Sequence, residues 1–104
     1  MPDPLTPDAI DAALADLPGW SYDTAEQAGK LSKTFNFDSF KEAMGFLVRV
    51  GFEAEAMNHH PEIFNVYSTV KIALSTHDAD GKVTRKDADL AKRIESINWI
   101  PQKD

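Results

Sequence analysis

Two runs rich in β-branched and aromatic side chains, residues 63–67 and 69–76, are separated by the single residue Ser68. A parallel connection needs a crossover of a dozen or more residues, so these runs can pair only as an antiparallel hairpin. Val70, Ile72 and Leu74 then share one face of the second strand, while Lys71, Ala73, Ser75 and, if the strand persists, His77 share the other. A second period-two run covers residues 30–37, where Leu31, Lys33, Phe35 and Phe37 alternate with Lys30, Ser32, Thr34 and Asn36. Lys33 alone breaks the apolar face. An extended stretch at Trp20, Ser21 and Tyr22 precedes it across the polar segment 23–29, which reads as a hairpin loop.

Helical periods surround these strands. Thr6, Pro7 and Asp8 have the form of a helix start, Ile10, Ala13, Leu14 and Leu17 recur at helical spacing, and Pro18 with Gly19 stops the helix. Asp38 is read as the next N-cap, followed by a long helix to about Met57 with Phe40, Ala43, Met44, Leu47, Gly51 and Ala54 on one face. Phe46, Val50 and Met57, with Val48 and Phe52 between, make that helix apolar over more than one face. One small sheet covers one stripe, so the surplus predicts a second subunit, in a homodimer or homotetramer. Residues 78–82 form a turn, Thr84 and Asp87 have capping-box spacing, and Leu90, Ala91, Ile94 and Ile97 mark a last helix that Pro101 ends. The predicted order is α-β-β-α-β-β-α: an α+β two-layer sandwich, with three helices on a four-stranded antiparallel sheet, in one domain over residues 1–104.

Composition narrows function. Seventeen acidic against eleven basic side chains give a formal charge of -6, which repels phosphate backbones and disfavours direct nucleic-acid binding. No cysteine is present, so disulfides, thiolate catalysis and thiolate zinc sites are excluded. No apolar run approaches the roughly 18 residues of a membrane span, and residues 1–8 lack the basic and apolar regions of a secretory signal, so a cytoplasmic protein without membrane attachment is expected. Phosphate-binding, dinucleotide-binding and nucleophile-elbow glycine motifs are absent.

All three histidines, His59, His60 and His77, fall within 19 residues, and the hairpin between them brings its outer ends together. Glu55 lies four residues before His59; if the helix continues that far, its carboxylate shares the face of His59 and can orient the ring. Three readings stand side by side. The histidines can be ordinary helix-end and turn residues; they can bind a metal, although adjacent side chains diverge and suit one ion poorly; or they can perform metal-free acid–base chemistry.

The segment EAMNHHPEIFNVYSTVKIALSTH, residues 55–77, closely resembles the signature of the pterin-4a-carbinolamine dehydratase family. The resemblance extends upstream through Trp20, Phe35, Asn36, Phe37, Phe40, Gly45, Phe46, Arg49 and Val50, and downstream through Gly81, Thr84, Asp87, Leu90 and Ala91. One departure is a turn between His77 and Asp87 longer by one residue, at Lys82 or a neighbour. The resemblance implies dehydration of a 4a-hydroxytetrahydropterin to the quinonoid dihydropterin, in tetrahydrobiopterin recycling after an aromatic amino acid hydroxylase, with no metal or redox cofactor. It implies a catalytic set of His59, His60, His77, the orienting carboxylate Glu55 and the nearby acid Asp87. It places Asn58, Ser75, Thr76 and Asp78 beside the pterin with the three histidines, and Trp20 at the pocket edge, whereas its place after Pro18 and Gly19 equally suits a core aromatic. Relatives also serve as non-catalytic dimerisation cofactors for a transcription factor, which is the alternative it implies.

Overall fold

Residues 3–24 and 29–97 are described by a computed structural model of the protein. The hairpin demanded by residues 63–76 is present as β3 (Glu62–Val66) and β4 (Thr69–Leu74), antiparallel with Ile63 opposite Ile72 and Val66 opposite Thr69. Tyr67, expected to end the first strand, instead sits in the two-residue connection with φ of 50°, because a turn this tight needs a left-handed backbone. Upstream, β1 (Ser21–Asp23) and β2 (Lys30–Asn36) pair antiparallel, and β2 pairs with β4 with Phe35 opposite Val70, giving the sheet order β1-β2-β4-β3.

The helices are α1 (Pro7–Ala15), α2 (Phe40–Met57) and α3 (Arg85–Ser96), in the predicted order. Leu31, Phe35, Val70, Ile72 and Leu74 from the sheet join Ile10, Phe46, Val50, Leu90 and Ile94 from the helices in one buried cluster. Thr34, Asn36 and Lys71, on the other side of the sheet, are exposed, so the helices cover one face only. The result is the α+β two-layer sandwich. Among the described residues, no helix is long and apolar enough to cross a membrane.

Local chemistry explains the details. Thr6 caps α1, its hydroxyl accepting from Ala9 N–H at 3.1 Å. The cap of α2 is Ser39 rather than Asp38: the Ser39 backbone is extended and its hydroxyl accepts from Glu42 N–H at 3.2 Å, while the Glu42 carboxylate accepts from Asp38 N–H. Lys33 is tolerated beside the core because its Nζ donates to Glu95 and to the Pro18 carbonyl, both at 2.8 Å, so the buried cation is paired. The stop at Pro101 and loop residues 25–28 lie outside the described residues.

The apolar surplus on α2 is narrower than its sequence suggests. Phe46 and Val50 are consumed by the protein's own core, and Met57 packs against it, leaving Phe40, Val48 and Phe52 exposed. On the edge strand, Ile63, Phe64 and Val66 are exposed too, with Tyr67 in the adjoining turn. Period-two patterning does not reveal this, because both faces of β3 carry apolar residues.

Candidate active site

The turn that ends α2 decides where its histidines go. Asn58 adopts a left-handed conformation, φ 51° and ψ 43°, and both it and His59 return backbone N–H bonds to the last carbonyls of the helix. Helical spacing therefore fails two residues before His59, and the expected Glu55–His59 pair is not formed. The reversal turns His59 inward, where it is 8% exposed, and leaves His60 outward with its Nε2 2.9 Å from Glu55 Oε1. Glu55 is thus a neighbour of His60.

His59 meets a different carboxylate. After β4 the chain makes a short 3₁₀ turn, His77–Ala79, so His77 opens a turn instead of extending the strand. Asp80 and Gly81 follow with φ of 58° and 77°, a conformation in which glycine is unstrained, and fold the chain back so that Thr76 bridges Lys82. That closure brings Thr84, the cap of α3, beside Thr76, with their hydroxyl oxygens 2.6 Å apart. The capping-box residue Asp87 is fully buried: its Oδ2 accepts from Thr76 O–H at 2.7 Å and Thr84 N–H at 2.8 Å, and its Oδ1 lies 2.6 Å from His59 Nε2. Across the turn that follows His77, Asp87 reaches His59. A buried carboxylate with two donors on one oxygen and an imidazole nitrogen at the other meets the general requirement that buried charge be hydrogen-bonded.

Above this network is a cleft of about 210 Å³ lined by Asn58, His59, His60, Ser75, Thr76, His77, Asp78 and Lys86. It gathers seven of the ten residues named in the sequence reading. Glu55 reaches it through His60, and Asp87 lies beneath it. Trp20 is placed elsewhere: its ring is buried edge-to-face against Phe35 at 6.2 Å and its Nε1 donates to Glu95 at 2.9 Å, so it takes the core alternative rather than the pocket edge. Thr76 lines the cleft but its hydroxyl is committed inward. Lys86 is the lining residue that sequence reasoning missed; its place three residues before Asp89 and one before Asp87 gives no signal beyond an exposed helix start.

A larger groove, of about 490 Å³, crosses the open sheet face between Asp23, Lys30, Glu62, Phe64 and Lys71. It contains no histidine, and its charged side chains pair across it, Lys30 with Glu62 and Lys71 with Asp23. The three imidazoles line the smaller cleft instead. There His59 is held at Nε2 by the Asp87 carboxylate, and two further imidazoles line the same cleft. Among the described residues, no group of three or more His, Asp or Glu is arranged to hold a metal ion.

Comparison with known proteins identifies relatives of this chain. Residues 3–97 match the family described as Pterin 4 alpha carbinolamine dehydratase. A protein of Opitutus terrae that carries a pterin-4-alpha-carbinolamine dehydratase name is 52% identical over 96% of this chain and 99% of its own. One of Rhodopseudomonas palustris with the same name is 50% identical over 89% of each chain. Among solved structures, a Brucella melitensis protein described as a transcriptional coactivator/pterin dehydratase superposes with a TM-score of 0.83 at 33% identity, over 90% of this chain and 97% of its own. A pterin dehydratase-like RuBisCO assembly factor of the α-carboxysome shares the fold, with a TM-score of 0.65 at 20% identity over 80% of this chain and 93% of its own.

Proposed function

Because the chain belongs to the pterin-4a-carbinolamine dehydratase family, we propose that it is a hydro-lyase that converts a 4a-hydroxytetrahydropterin to the quinonoid dihydropterin by histidine acid–base catalysis. The observation that carries this reading is the cleft shared by His59, His60 and His77, with His59 tied at Nε2 to the buried Asp87. In the reaction the C4a–O bond breaks, an acid protonates the departing oxygen so that it leaves as water, and a base removes a proton from a ring nitrogen. Imidazoles can serve as acid and as base near neutral pH. Asn58, Ser75 and Asp78 flank the histidines and supply hydrogen-bonding groups for the pterin ring. The step belongs after an aromatic amino acid hydroxylase, in tetrahydrobiopterin recycling in the cytoplasm, and needs neither metal nor redox cofactor.

The test follows the decay of a synthetic 4a-hydroxytetrahydropterin with and without protein, in the presence of a chelator. Acceleration that survives chelation supports the proposal. No acceleration refutes it, and loss on chelation with recovery on added zinc would replace it by a metal mechanism.

The exposed Phe40, Val48 and Phe52 on α2 favour a second role for the same single-domain chain, in self-association as a homodimer or homotetramer or as a non-catalytic dimerisation cofactor for a transcription factor. Sedimentation at micromolar concentration tests self-association. An adaptor role would leave partner binding intact after His59→Ala, whereas the enzymatic role would not survive that change.

A further inference from the structure

We propose that Thr76 and Thr84 are positioning residues: their hydroxyls form a one-way donor chain through Asp87 that fixes the proton of His59 on Nε2 and leaves Nδ1 as the ring atom that accepts a proton. The inference rests on the dehydratase reading only for its kinetic arm.

The direction of the chain follows from counting protons. A backbone N–H can only donate, and Thr84 N–H is 2.8 Å from Asp87 Oδ2, so that oxygen is an acceptor. Thr76 Oγ1, 2.7 Å from the same oxygen, gives its one proton there. It has none left for Thr84 Oγ1 at 2.6 Å, so the Thr84 hydroxyl must be the donor between the two. Thr84 Oγ1 in turn accepts from Lys86 N–H at 3.2 Å, at the helix start, where amides lack helical partners. Both ends of the chain are therefore set by amides whose polarity cannot reverse. At the far side, Asp87 Oδ1 lies 2.6 Å from His59 Nε2; an ionised carboxylate offers only lone pairs there, so a neutral His59 facing it carries its proton on Nε2.

Burial makes the arrangement hard to replace. Thr84, Thr76 and Asp87 are 1%, 2% and 0% exposed, which leaves little access for water to substitute for a lost hydroxyl. Capping alone does not account for it. An N-cap needs the Thr84 oxygen only as acceptor, yet this hydroxyl also points its proton at Thr76. A hydroxyl that bound the ligand would not have its proton committed to a buried carboxylate.

The kinetic test compares Thr76→Val, Thr76→Ser, Thr84→Val and Thr84→Ser on a synthetic 4a-hydroxytetrahydropterin. Both valine variants are expected to lose kcat, Thr76→Val by about 10–100-fold as partners that orient a reacting group usually cost, with KM little changed. The serine variants should recover most of the rate. A raised KM with kcat preserved in Thr76→Val would overturn the proposal, as would valine variants with wild-type rates. Independently of activity, ¹⁵N-histidine NMR of the ligand-free full chain should show His59 protonated at Nε2, with a proton protected from water exchange that loses protection in Thr76→Val. A wild-type His59 protonated at Nδ1 overturns the proposal even if the valine variants fail to fold, and so does undiminished protection in a folded Thr76→Val. If the wild type has no dehydratase activity, the functional reading fails and the NMR measurement alone decides the positioning role.

Discussion

Replacing Asp87 by asparagine keeps shape and volume but makes one of two equivalent oxygens an NH₂ group. Which one is dictated by the structure. Oδ2 receives Thr84 N–H at 2.8 Å and Thr76 O–H at 2.7 Å, so an amide must keep its carbonyl oxygen there and put its NH₂ at the Oδ1 position, 2.6 Å from His59 Nε2. Two donors would then face each other unless His59 moves its proton to Nδ1, which takes away the lone pair proposed as the base. Loss of an acid–base group typically costs about 10²–10⁴-fold, and Asp87→Asn is expected to lower kcat within that range. Stability should fall by only about 1–2 kcal/mol, because charge-assisted hydrogen bonds become neutral ones without any being removed.

Asp87→Ala separates folding from function. It strips the acceptor from three buried donors, each costing about 1–3 kcal/mol, so a loss of roughly 3 kcal/mol or more is expected from a domain whose total is about 5–15 kcal/mol. Urea denaturation reads the loss as a lower midpoint at unchanged slope. An Asp87→Asn enzyme with wild-type kcat would refute the tautomer argument, and an Asp87→Ala protein destabilised by less than about 1 kcal/mol would refute the buried network.

His59→Ala and His77→Ala should each lower kcat by about 10²–10⁴-fold without abolishing the fold, checked by kinetics beside circular dichroism. Glu55→Gln should cost far less than Asp87→Asn, since the carboxylate meets the exposed His60 and leaves His59 held; equal losses would mean that Glu55 acts directly. Trp20→Phe should lower stability by about 1–3 kcal/mol through loss of the bond to Glu95 while kcat and KM stay unchanged, and a raised KM would return Trp20 to the pocket. Phe52→Glu should shift sedimentation toward smaller species if α2 mediates self-association, and leave the mass unchanged if it does not.

Strand pairing and helix order were legible because they depend on periodicity and on connection length: one residue between two β-rich runs admits only a hairpin, wherever the rest of the chain goes. The histidine cluster was legible on the same ground, since a hairpin returns its ends to one place. The pairing within the cluster was not. Spacing of four assigns Glu55 to His59 only while the helix lasts, and the helix ends at Met57 with Asn58 left-handed, so a single backbone conformation exchanges the partners of both histidines. Asn tolerates that conformation better than most residues, which made the stop possible but not predictable from the apolar stripe. Asp87 shows the converse. Its place three residues after Thr84 announced a capping box, and the box is present, yet the cap has two carboxylate oxygens and needs only one. The second oxygen, buried by the fold-back at Asp80 and Gly81, is what reaches His59, so a residue of the cap of the last helix is also the partner of that imidazole. Local sequence rules describe each use separately; only the tertiary closure from Thr76 to Thr84 joins them, and for that reason a substitution aimed at the helix cap should be felt at His59.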